Sequence, residues 1–196
     1  MIAAIQAGGR SARMGADKAW LMIEGRPMIE HVLTAAQPVA DHLVIVLHPK
    51  NPNLALYEEL AAQWSAELLF DLHDYRGPLG GIETALQHSG NDEVVLMLAC
   101  DLPFVTTEFL QLLDKIHQAE QADLTVPLDA EERPQMLAAI YAKACLPHVT
   151  AMLAANELKA QLLQGRVLTR NVRWAEYSHL AAVERLLHNI NSREDL

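Results

Sequence analysis

Gly8, Gly9 and Gly15 alternate with Arg10, Arg13 and Lys18 in the stretch "AGGRSARMGADKAWL", in a chain whose formal net charge is -10. Asp17 is the only acid among the first 18 residues, so this loop is locally positive. Backbone amides in an irregular glycine turn can converge on an anion, and cations beside them add charge. The spacing fits neither common phosphate fingerprint. A Walker loop needs Gly-Lys-Ser/Thr, whereas Lys18 lies between Asp17 and Ala19. The dinucleotide motif needs glycines at first, third and sixth positions, whereas Gly8 and Gly9 are adjacent. Two readings stand: an anion-binding turn, or an ordinary strand-to-helix turn carrying solvated cations.

Carboxylates follow two later apolar runs. Asp101 comes directly after "EVVLMLAC". A carboxylate there can hold a hard cation such as Mg²⁺, which bridges phosphate oxygens, or it can simply cap the turn before Pro103. "FDLHDYRGPLGGIETAL" offers Asp71 and Asp74, followed by glycines at a helix start, where a ligand can approach the backbone closely. Asp71 could bond a ribose or base, join a metal shell, or only form the turn. The nine histidines include no H-E-x-x-H, and the two cysteines lie far apart, which argues against zinc. Ser11 lacks the G-x-S-x-G setting of a nucleophile, and no triad is visible.

The elements that must position these residues alternate. Strands are expected at 2–6, 42–47, 66–70, 93–100, 122–128 and 135–142, and an extended segment at 167–177. Helices are expected at 26–37, 53–64, 82–88, 106–118, 146–157, 157–164 and 179–188. The run 93–100 is apolar on both faces, as in the centre of a parallel sheet. This pattern predicts an α/β fold with a mainly parallel sheet, whose sites lie beyond the carboxyl ends of the strands. The positions to inspect therefore follow Gln6, Leu47, Phe70 and Cys100.

Composition bounds the function. The 196 residues are 51% apolar, with no repeat and no linker-like segment, which suits one domain spanning 1–196. The longest apolar run, 94–100, falls far short of the roughly 20 residues that cross a bilayer. The first residues lack the basic region of a signal peptide. Cys100 and Cys145 read as reduced thiols, and a cytoplasmic protein is expected. The acidic balance argues against nucleic-acid binding, which needs a basic face.

Taken together, "AGGRSARMGADKAWL", "GPLGGI", "CDLPF", "RPQMLAAIY" and "NINSREDL" resemble the molybdenum cofactor guanylyltransferases, of the MobA-like nucleotidyltransferase family, over essentially the whole chain and in order. The resemblance implies a Rossmann-like three-layer sandwich of the nucleotide-diphospho-sugar transferase type. It implies transfer of GMP from Mg-GTP to the terminal phosphate of molybdopterin, with GTP and molybdopterin as substrates and Mg²⁺ as cofactor. Transient contact with molybdoenzymes or other cofactor-biosynthesis proteins is implied as well, and neither nucleic acid nor membrane.

Carried over by position, Gln6, Ala7 and Gly8 would contact the nucleoside through backbone. Gly9, Arg13 and Lys18 would cradle the triphosphate, Asp71 would help hold the nucleoside, and Asp101 would bind the metal. Gln135, Asn189 and Asn191 would face the pterin. The catalytic set is then Arg13, Lys18 and Asp101. The chain departs from the family at Gln6, usually leucine, at Met136, usually proline, and at Leu47 and His48, where an asparagine is common. A relative that loads CTP onto molybdopterin or activates a sugar phosphate would share most of the phosphate machinery. A non-catalytic molybdopterin carrier is the rival from another class.

Overall fold

A computed structural model describes residues 1–7, 17–74, 76–90, 94–190 and 195. Its centre is a sheet of seven strands. The first, β1 (Ile2–Gln6), lies between β4 (His42–Leu47) and β6 (Val94–Ala99), parallel to both. Outside β4 runs β5 (Glu67–Phe70), also parallel. On the other flank, β8 (Ala138–Ala142) pairs antiparallel with β6 and with β7 (Leu124–Pro127), and β9 (Thr169–Val172) closes the edge parallel to β7. The order is therefore β5-β4-β1-β6-β8-β7-β9, mixed and mostly parallel. A short hairpin, β2 (Met22–Ile23) with β3 (Arg26–Pro27), stands apart. Its turn places Glu24 and Gly25 both at positive φ, as a tight two-residue hairpin loop requires.

Alternation along the strands makes two cores. Ala3, Ile5, Ile45, Leu96 and Leu98 face one layer of helices. That layer contains α1 (Met28–Ala36), α2 (Leu54–Trp64), α4 (Thr107–Glu120) and the short helices α6 (Trp174–Tyr177) and α7 (Val183–Leu186). Ala4, Val44, Val46, Val95 and Met97 face the other, built from α3 (Pro78–His88) and α5 (Leu146–Ala154). The expected α/β fold with a mainly parallel sheet is what forms. None of the described helices is long and apolar enough to cross a membrane.

Four segments differ from the sequence reading. Residues 26–27 belong to the hairpin, and the helix begins only after Pro27. Extended backbone stops at Val172, because the Glu176 side chain turns back to accept the Arg173 amide at 2.7 Å and folds 174–177 into a helical turn. In the segments 157–164 and 179–188, only a 3₁₀ turn (Ala160–Gly165) and one α-helical turn (Val183–Leu186) form.

Strand order reverses at β1. The chain leaves it for β4 and β5 on one side, then returns to β6 on the other. Gln6 lies in register between Val46 and Ala99. A crevice opens beyond the carboxyl ends at such a point.

Candidate functional site

That crevice is a cleft of about 760 Å³. A second cavity of about 480 Å³, at the amino edge beside Asp41, His42 and His88, contains none of the residues singled out from sequence. The cleft brings together Gln6, Lys18, Asp71, Asp101, Gln135 and Asn189, contributed by six separate stretches of chain. Gly8, Gly9, Arg13 and Asn191 lie outside the described residues. Ala7 ends β1 with its amide donating to the Val46 carbonyl at 2.9 Å, and it is buried.

Lys18 opens a 3₁₀ turn (Lys18–Trp20) capped by Asp17, whose Oδ1 accepts the Ala19 amide at 3.2 Å. Asp101 stands on the turn after β6. The turn is held on one side by the Cys100 amide donating to the Gln6 carbonyl at 3.1 Å. On the other side the Ile190 amide donates to the Asp101 carbonyl at 2.9 Å. Burial pushes the Asp101 carboxyl above the usual carboxylate range, and the Lys18 ammonium opposes that shift. Asp101 is therefore partly desolvated and lies within reach of the Lys18 charge.

Asp71 follows β5, and its amide donates to the Leu47 carbonyl at 2.7 Å. Its Oδ1 accepts the His73 amide at 3.0 Å. Burial raises its pKa, while the His73 amide bond and the His73 and His48 rings pull it back. The glycines of "GPLGGI" act here in an unexpected way. A Cβ on Gly80 would stand 2.8 Å from both Asp71 carboxylate oxygens, and one on Gly81 would stand 2.6 Å from the Gln6 amide. What approaches the start of α3 closely in this structure is thus the protein's own side chains. Gly77, at φ +64° and ψ -151°, occupies backbone space open almost only to glycine. Its carbonyl accepts the Gln6 Nε2 at 3.3 Å.

A test follows from Gly80. Alanine is the better helix former by about 1 kcal/mol, so Gly80→Ala should leave the urea midpoint nearly unchanged while displacing the Asp71 carboxylate. Nucleotide affinity measured by calorimetry should fall about tenfold, as expected for losing one hydrogen bond from a charged group. Unchanged affinity would show that Asp71 does not touch the ligand.

The departures from the family pattern find physical places. His48 Nδ1 accepts the Lys50 amide at 3.1 Å, so its proton sits on Nε2, which donates to Asp74 Oδ1 at 2.7 Å. The ring ties two loops together at the cleft wall. Met136 is buried, and its carbonyl accepts the Tyr141 hydroxyl at 2.7 Å.

Elsewhere in the cleft, Gln135 Nε2 donates to Asp129 Oδ2 at 2.9 Å. Asn189 is held by its neighbour Ile190, which is fully buried with Ile23 and Met28. Sequence reasoning missed Leu158, Lys159 and Gln161, which also line the cleft. Lys159 is exposed, and with Lys18 it is one of two cations among the described lining residues.

Among the described residues no group of three or more His, Cys, Asp or Glu is arranged to hold a metal. Asp101, a partly desolvated carboxylate lining the cleft, nonetheless fits a magnesium ion. Mg²⁺ is commonly bound through one or two carboxylates, with phosphates and water completing the shell. The arrangement can therefore neutralise a polyphosphate from one side with Lys18 and from the other through a metal on Asp101.

Residues 3–172 match the family described as the MobA-like NTP transferase domain. The chain is 34% identical to a probable molybdenum cofactor guanylyltransferase of Flavobacterium johnsoniae, covering 98% of this chain and 92% of the relative. It is 31% identical to a molybdenum cofactor guanylyltransferase of Burkholderia ambifaria, over 97% and 90% respectively. Among solved structures it resembles molybdopterin-guanine dinucleotide biosynthesis protein A from Archaeoglobus fulgidus, with a TM-score of 0.81 and 27% identity, over 100% of this chain and 94% of that one.

Proposed function

The chain belongs to the family of MobA-like NTP transferase domains, and from that premise we propose that it transfers GMP from Mg-GTP to the terminal phosphate of molybdopterin. The observation that carries this reading is the convergence of Gln6, Lys18, Asp71, Asp101, Gln135 and Asn189 on one cleft where strand order reverses.

In the reaction an acceptor phosphate oxygen attacks the α-phosphorus of GTP, the bond to the bridging α–β oxygen breaks, and pyrophosphate leaves. The acceptor is already ionised near neutral pH, so no strong general base is needed. Positioning and electrostatic stabilisation supply the catalysis. Asp71 holds the nucleoside, alongside the backbone of Gln6, Ala7 and Gly8. Lys18 and Gly9 hold the α and β phosphates, and Arg13 faces the departing pyrophosphate. Asp101 carries the magnesium ion, which supplies positive charge to the phosphate oxygens when bound. Gln135, Asn189 and Asn191 face the pterin, and Lys159 adds positive charge to the cleft. Arg13, Gly8, Gly9 and Asn191 enter through the family resemblance.

One observation bears on a second reading, CTP as the donor. The position after β4 that commonly carries a base-reading asparagine carries His48, whose ring is spent on Asp74 and the Lys50 amide. Nucleotide-dependent thermal shift separates the two. A ligand at 100 times its Kd adds about 2.7 kcal/mol of stability, so GTP with Mg²⁺ should raise the melting temperature and CTP should not. Pyrophosphate release should then require molybdopterin. Selective stabilisation by CTP would replace the guanylyl assignment, and binding without pyrophosphate release would make the chain a carrier.

A further inference from the structure

We infer that Tyr57 is a positioning residue for Lys18, acting through Asp17. The inference rests on the nucleotidyl-transfer reading above. Tyr57 lies on α2, a helix that contributes no residue to the lining of the cleft. Its ring is fully buried and meets the Trp20 ring edge-on, with centroids 5.2 Å apart. A phenol so placed must find a partner for its hydroxyl. It donates to Asp17 Oδ2 at 2.8 Å, and Asn53 Nδ2 approaches the same oxygen at 3.4 Å. The other carboxylate oxygen caps the Lys18–Trp20 turn through the Ala19 amide, while the Asp17 carbonyl accepts the Trp20 amide at 3.1 Å.

The Asp17 carboxylate is thus divided. One oxygen fixes the backbone that carries Lys18, and the other is bolted to α2. Lys18 begins this turn, so the position of the turn sets where its stem leaves the backbone. Without the phenol, Asp17 keeps its cap and the longer Asn53 bond but loses the shorter bond to α2, and the Lys18 turn can shift relative to Asp101. A tyrosine that merely fills the core would give the same packing without this link, so packing and positioning must be separated by experiment.

Tyr57→Phe does so, because it keeps the ring, its burial and its contact with Trp20. The readouts are the Kd of Mg-GTP by calorimetry and the KM of molybdopterin, in four proteins: the parent, Tyr57→Phe, Lys18→Ala and the double variant. Losing one hydrogen bond to a charged acceptor corresponds to about a tenfold change. Tyr57→Phe is therefore expected to weaken Mg-GTP about tenfold and to leave the molybdopterin KM within about twofold. In the Lys18→Ala background the same substitution should change nucleotide affinity less than about twofold, because the group being positioned is gone. Equal losses in the two backgrounds, or no loss in the parent, would overturn the inference. A parent chain that binds no Mg-GTP would remove the nucleotidyl-transfer reading and the positioning role together. Normal parental binding with additive losses would remove the positioning role alone.

Discussion

Asp101→Asn is expected to lower pyrophosphate release at saturating Mg-GTP and molybdopterin by about 10²–10³-fold, the range seen when one preorganised electrostatic contact to a reacting group is removed. The substitution is nearly isosteric, yet it removes the only carboxylate on the turn after β6. Asparagine is a neutral ligand and holds Mg²⁺ far more weakly, so the half-maximal magnesium concentration should rise as turnover falls. The fold should survive. The turn is held by backbone bonds from Cys100 to Gln6 and from Ile190 to Asp101, neither of which uses the side chain. Burial already disfavours the charged form of Asp101, so neutralising it in metal-free protein removes a desolvation cost and the unfolding midpoint should not drop. A variant with wild-type turnover at saturating magnesium would take the metal away from Asp101. A variant that is inactive because it is unfolded would show a lost urea transition.

Of the three side chains expected at the phosphates, Arg13, Lys18 and Asp101, the meeting of the last two in one cleft was legible because both follow parallel strands. A chain leaving β1 or β6 must do so at the same edge, so Lys18 and Asp101 were bound to be neighbours once both runs read as central strands. The meaning of Gly80 and Gly81 was not legible. Sequence shows that something comes close to a glycine, but only the packing of α3 shows that it is the Asp71 carboxylate and the Gln6 amide.

Direction was hidden as well. The apolar run containing β8 reads the same whether the strand lies parallel or antiparallel to β6, and the fold uses the antiparallel pairing. Near the carboxyl end, local pattern lost to long-range bonds. Arg170 reaches both Glu120 and Glu176, and the Tyr177 hydroxyl bonds the Leu128 carbonyl, so 174–177 coils where an extended run was expected. The same kind of ordering concealed Lys159. It sits just before a 3₁₀ turn whose Ala160 is buried, and nothing in "ELKAQLLQ" says that this turn borders the cleft.

Lys18→Ala is expected to reduce kcat by about 10²-fold, the effect of losing one charged contact to the reacting phosphates, with the molybdopterin KM changed less than about twofold. Its response to magnesium separates it from Asp101→Asn. The ammonium lies close enough to Asp101 to oppose the rise in its pKa, so it also opposes the approach of a second cation to that carboxylate. Removing it should leave the magnesium requirement unchanged or lower, even though the rate falls. Asp101→Asn should lower the rate and raise the requirement. Opposite movements of one titration in two slow variants would place the lysine on the phosphates and the carboxylate on the metal. If Lys18→Ala instead changed only molybdopterin affinity, the cation would belong to the acceptor and not to the phosphates of the donor.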